Sequence, residues 1–177
     1  MLELEINGQE YFNEITNKFF KIEPTVLQLE HSLYSLAKWE SKWKKPFISK
    51  KEKTYDELID YIKCMTLNKV DPKVYSVLTD NHFEKIYKYM NDSMTATTIK
   101  DNGKKNHDVI TAEIIYWEMF ELHIPLECEH WHLNRLLMQI QVCAIKNQPP
   151  KKMKRSAIIN QQRALNEARK ISMGTNG

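Results

Sequence analysis

Residues 110–146 read ITAEIIYWEMFELHIPLECEHWHLNRLLMQIQVCAIK. Two apolar stripes run through this stretch. Ile110, Ile114, Trp117 and Phe120 recur every three to four residues, the period of one face of an α-helix. Ile124-Pro125 ends that helix, because proline donates no hydrogen bond and its ring clashes with the preceding turn. From residue 129 to 146 a second stripe follows: Leu133, Leu136, Leu137, Ile140, Cys143 and Ala144. Two such helices joined by a short turn are expected to pack as an antiparallel hairpin at the centre of the core.

Working outward, helical spacing also governs residues 31–90. Leu33, Leu36 and Trp43 share a face of a segment over 31–44, which Pro46 stops. Thr54 and Glu57 form a capping box opening a helix with Leu58, Ile59, Ile62 and Met65 inward. Asp80 is expected to cap a further helix with Phe83, Ile86, Tyr87 and Met90 inward. The N-terminus differs in period. Leu2, Leu4 and Ile6 alternate with Glu3 and Glu5 before Asn7-Gly8, a strand-and-turn signal. A second extended run spans 19–29, where Pro24 fits only an edge or a bulge.

The expectation is an α+β protein, predominantly α-helical, with a small N-terminal β-element, a helical body and a basic C-terminal helix. Residues 1–147 form one domain: a β-element over 1–30, helices over 31–90, a mobile loop over 91–106 and the helical hairpin over 107–147. The polar 91–106 stretch contains Gly103 and lacks periodicity. Gln148-Pro149-Pro150 then breaks the chain before a C-terminal docking segment, 148–177.

Composition excludes several functions. The chain has four glycines in 177 residues, two of them in its last four positions. A phosphate-cradling loop needs clustered glycines, and a nucleophile elbow needs small residues; neither can be built here. Three cysteines, Cys64, Cys128 and Cys143, with no CxxC spacing, argue against a disulfide framework. The most apolar run, 136–145, is half the roughly 20 residues of a membrane span. The N-terminus carries no secretory signal, so the chain reads as cytosolic. Nothing implies a cofactor, and residue chemistry points away from an enzyme.

Charge is uneven. Residues 148–177 hold seven basic residues against one acid, a net +6 within a total of +3, leaving the rest at −3. Such a tail seeks an acidic partner. Its basic residues Lys151, Lys152, Lys154, Arg155, Arg163, Arg169 and Lys170 alternate with apolar Ile158, Ile159 and Leu165 at helical spacing. An apolar stripe that cannot join the main core suits a docking helix. Residues 38–53 carry seven lysines and two acids, among them Lys42, Lys44, Lys45, Lys50 and Lys51, interleaved with Trp39, Trp43 and Phe47. Cations with aromatics can bind an acidic partner or single-stranded nucleic acid. A solvated lysine face over a buried tryptophan face is the better reading, which makes nucleic acid an unfavoured partner.

Two further constellations carry candidate chemistry. Cys128 and His132 stand one helical turn apart and are weak candidates for metal ligands; no spacing matches a zinc pattern. Asp56 and Asp60 at i, i+4 could present paired carboxylates, but the surrounding lysines read as a solvated helix face.

Several blocks resemble small proteins of tailed-bacteriophage morphogenesis clusters. They are Leu29-Glu30-His31-Ser32-Leu33 with Lys38-Trp39-Glu40-Ser41-Lys42-Trp43 and Lys45-Pro46-Phe47; Tyr61-Ile62-Lys63-Cys64-Met65-Thr66; and Met94-Thr95-Ala96-Thr97. The best block is 124–137, IPLECEHWHLNRLL, followed by 146–153, KNQPPKKM, and by 163–169, RALNEAR. The match covers nearly the whole chain. It is similar to the tail assembly chaperones encoded beside the tape-measure protein, which keep that long helical protein soluble while tube subunits polymerise. The resemblance implies no catalytic residues. It implies a tape-measure or other tail partner, with the host cytoplasm during assembly as the location. A permanent virion component of the baseplate, hub or connector is the alternative, and a homo-oligomer stays open.

Overall fold

The computed structural model describes residues 1–13, 17–48, 52–99, 109–148 and 155–174. The chain divides into two compact units, Met1–Ile145 and Lys146–Gly177. The first is α+β and predominantly helical.

It opens with β1 (Leu2–Ile6), β2 (Gln9–Asn13), β3 (Lys18–Ile22) and β4 (Thr25–Leu29). β1 pairs antiparallel with β4, and β2 with β3. One register runs across both pairs: Ile6 opposes Thr25 and Gln9 opposes Ile22, with Asn7-Gly8 facing Glu23-Pro24. Asn7-Gly8 is therefore not the tip of a hairpin, as the dipeptide suggests, but an interruption in a long ribbon. Pro24 cannot donate to the ladder. A Cβ at Gly8 would lie 2.4 Å from the Pro24 ring, so the glycine makes room for the proline.

The two halves of the ribbon differ. At the base, Leu4, Ile6, Leu27 and Leu29 are buried. At the far end, Phe12 and Phe19 pack against each other with tilted rings, centroids 4.9 Å apart, and are exposed. The open edge of β4 is covered by the residues after the second helix. Asn68 accepts from the Gln28 N–H and donates to the Val26 carbonyl, as a neighbouring strand would. Leu67 donates to the Gln28 carbonyl, and Glu30 donates to that of Met65.

Helix α1 (Leu33–Trp43) is the hub of the body, packing on α2 (Tyr55–Met65), on α4 (Ala112–Glu121) and on the 3₁₀ turn Leu126–His130. Ser32 caps its start, and Lys44, in the left-handed region at φ 55°, ends it two residues before Pro46. Its inward face is Leu33, Leu36 and the fully buried Trp39; Trp43, expected inward, is only half-buried. Thr54 and Glu57 do form the capping box of α2. α3 (Asp80–Met90) is capped by Thr79 rather than Asp80, and it buries Ile86 and Tyr89 while Tyr87 faces solvent.

The expected hairpin is corrected in two ways. α4 packs on α1, burying Ala112, Ile115 and Met119, so Ile110, Ile114, Trp117 and Phe120 are exposed. Residues 129–132 belong to the 3₁₀ turn and its exit, and α5 (Leu133–Lys146) starts only at Leu133. Leu133, Leu136 and Ile140 are buried, Leu137 and Cys143 partly so, and Ala144 is exposed. The core centres on α1 rather than on α4 and α5. Within the loop expected over 91–106, residues 100–106 lie outside the described residues.

The second unit contains α6 (Arg155–Met173), 19 residues long.

Candidate functional site

The basic segment after α1 is wired into the fold. Lys42 pairs with Asp60, Lys45 pairs with Glu57, and the Trp43 indole donates to Asp60 at 2.9 Å. The Lys45 hydrogen bond, helped by the Thr54 N–H, holds the Glu57 carboxyl below its usual range. Burial alone would raise Asp60, but the hydrogen bonds from Lys42 and Trp43 outweigh it and its pKa is lowered. Asp56 is exposed while Asp60 is buried, so the two do not form a solvated face or a carboxylate pair.

This arrangement bears on 38–53 as a candidate binding patch. Trp39 and Phe47 are buried in the core, where they meet edge-on and Phe47 stacks on Tyr61. No base could reach them. Lys42 and Lys45 keep exposed stems, but their charges are answered by α2. Lys44 caps α1, and Lys50 and Lys51 lie outside the described residues.

Glu40 is the polar residue that the sequence reading missed. It is buried, and its two oxygens accept from the backbone N–H groups of Phe47 and Ala112, both at 2.7 Å. One carboxylate thus fixes the turn after α1 and the first residue of α4. A signal existed: Glu40 continues the Leu33–Leu36 stripe at i+7, an acid on an apolar face.

Behind α1 lies a second buried polar junction. His31 Nδ1 and the Tyr61 hydroxyl share a hydrogen bond of 2.6 Å. The His31 ring meets that of His132 edge-on at 5.3 Å. His132 Nε2 donates to the Tyr89 carbonyl at 3.1 Å, and Nδ1 accepts from the Asn134 N–H. Both nitrogens of His132 are engaged, which fixes its neutral tautomer and leaves no lone pair for a metal. Burial, then the neighbouring His132, pushes His31 down to about 3. Cys128 is buried and burial raises its thiol, which opposes a thiolate role as ligand or nucleophile. Among the described residues no group of three His, Cys, Asp or Glu could hold a metal ion. A cleft of about 350 Å³ beside this junction is lined by His31, Lys53, Tyr87, Asn91, Asn134 and Leu137. His31 and Tyr61 answer each other and Lys53 sits over the Phe47 ring, so these groups act as packing and hydrogen-bonding members of the fold.

Among the described residues, two helical surfaces present large apolar side chains to solvent. One is the outward face of α4. The other is α6, where every described side chain is exposed, including Ile158, Ile159, Leu165, Ile171 and Met173. Arg163, Arg169 and Lys170 lie along the same helix, and Arg155 is its first residue. Lys151, Lys152 and Lys154 lie outside the described residues. Among the described residues, no helix is long and apolar enough to cross a membrane. No protein-family model, curated protein or solved structure matches the chain.

Proposed function

We propose that this chain is a non-catalytic tail-morphogenesis protein of a tailed bacteriophage: an assembly chaperone that captures an amphipathic segment of the tape-measure protein or another tail protein in the host cytoplasm. The observation that carries the binding role is α6, a 19-residue basic helix whose described apolar side chains are all exposed. In proteins, packing of an amphipathic face supplies most helix stability. Ile158 and Leu165, which share one face, against a partner helix, with basic side chains of α6 meeting its acids, would supply that packing. The resemblance to tail-assembly proteins supplies the class of partner.

Deleting residues 148–177 tests it. The truncated protein is expected to keep its cooperative melt by circular dichroism and to lose co-purification with the tape-measure protein co-expressed from the same phage. Equal recovery of the tape-measure protein by both forms would overturn the mechanism. Mass spectrometry of purified particles then separates the two roles: a fixed copy number per tail means a permanent virion component, and absence from particles with abundance in lysate fits a chaperone.

A further inference from the structure

α4 carries apolar residues on two opposite faces. Ala112, Ile115 and Met119 face α1, while Ile114, Trp117 and Phe120 lie opposite, 41%, 63% and 64% exposed. The second face is uncovered, and Ile110, just before the helix, extends it. Trp117 stands at the middle of the outward arc. Glu113 and Glu121 are one turn before and after it on the same arc, and both are exposed. Among the described residues neither is in an ion pair. From 109 to 134 the chain contains five glutamates and no lysine or arginine. The surface is an apolar centre flanked by Glu113 and Glu121; Lys44 and Lys45, from the turn after α1, line a pocket with Glu113, and Lys45 is already paired with Glu57.

We propose that the outward face of α4 is a docking site for a basic amphipathic helix of a partner protein. The apolar stripe of such a helix covers Ile114, Trp117 and Phe120. Its lysines or arginines meet Glu113 and Glu121, and one of them can lie over the Trp117 ring, the strongest cation–π acceptor among side chains. A second copy presenting the same face would set these glutamates against like charge, which disfavours self-pairing through α4. The proposal goes beyond the role given to α6.

Trp117 is its own reporter, because an exposed indole shifts its emission to the blue when covered. The full chain is titrated with a synthetic amphipathic helix of leucine and lysine, and separately with its leucine–glutamate counterpart. The lysine peptide is expected to give a saturable blue shift that Trp117→Phe removes. A Glu113→Lys, Glu121→Lys double variant is expected to bind that peptide about tenfold more weakly, two rim charges having changed sign, and to accept the glutamate peptide instead. All these positions are exposed, so the melts of the variants should match the parent. Four results would overturn the proposal: no response; equal response to both peptides; unchanged affinity in the double variant; or a blue shift that grows with protein concentration in the absence of peptide, which would mean that a second copy covers the face.

Discussion

α2 and α4 are almost the same length, 11 and 10 residues, and both pack on α1. They use that contact in opposite ways. α2 draws polar groups inward: Glu57 and Asp60 are buried, and each is answered by a lysine from the segment around the end of α1. The Trp39 indole also donates to the Glu57 carbonyl at 2.8 Å. α4 pushes apolar groups outward, presenting Trp117 and Phe120 to solvent while small Ala112 and slim Ile115 and Met119 make the contact. Periodicity states which residues of a helix are apolar. It does not state which apolar residues the fold has a neighbour for.

The attachment of α4 to α1 rests heavily on one carboxylate, so breaking it gives the largest expected effect. Glu40→Ala leaves the N–H groups of Phe47 and Ala112 buried without an acceptor. Unanswered buried donors of this kind cost about 1–3 kcal/mol each, so a loss of about 3 kcal/mol is expected in urea unfolding. Glu40→Gln keeps one carbonyl acceptor and should lose about half as much. If Glu40→Ala melted like the parent, the carboxylate would not be what holds the start of α4.

On the α2 side, pH is the sharper tool. His31 is neutral when folded and down to about 3, so unfolding allows it to take up a proton near its ordinary pKa of 6.5. The unfolded state then binds more protons between those values, and stability falls as pH falls below 6.5. The loss attributable to His31 is about 2 kcal/mol between pH 7 and pH 5. His132, also lowered by burial, adds loss in the same direction. Glu57 and Asp60 act in a separate window. Their lowered pKa values stabilise the fold above the ordinary carboxylate range, and that contribution disappears only below about pH 4. Urea midpoints measured from pH 7 to pH 5 should therefore fall, and His31→Gln should flatten the slope. A parent midpoint constant over that range would contradict the neutral buried histidine.

Much of the fold was legible because local chemistry fixed it. Thr54 and Glu57 announce a helix start wherever they occur with a following apolar run, and Leu2, Leu4 and Ile6 have no helical reading. Pro24 was legible as a break, whereas Asn7-Gly8 was misread, since strand pairing is decided by the partner at Thr25–Leu29 and not by the dipeptide. Helix faces were the harder matter. In α3 and α4 apolar residues outnumber the neighbours available, so Tyr87, Trp117 and Phe120 match the helical period and still face water. The buried polar groups were hidden for a related reason. His31, Tyr61, Glu40 and Ala112 come together from distant parts of the chain, and no spacing in the sequence places them side by side. The candidate surfaces were legible only in part: the basic apolar period of 155–173 was readable, but the face left bare on α4 is defined by what packs on its other side.

The smallest effect is expected where the sequence suggested the largest. Trp117 and Phe120 belong to a stripe that reads as core, and truncating a core aromatic costs about 3–5 kcal/mol. Because both are more than 60% exposed, Trp117→Gln and Phe120→Gln should each change unfolding free energy by no more than about 0.5 kcal/mol. Ile115, the next-door residue of Ile114 and fully buried against α1, supplies the internal standard: Ile115→Ala should cost about 2–4 kcal/mol. The two glutamine variants should also bind less of a dye that fluoresces on exposed apolar surface, since they remove the centre of the uncovered face. A Trp117→Gln variant destabilised as much as Ile115→Ala would mean that the outer side of α4 is already covered in the free protein, and the contrast with α2 would then be one of partner rather than of kind.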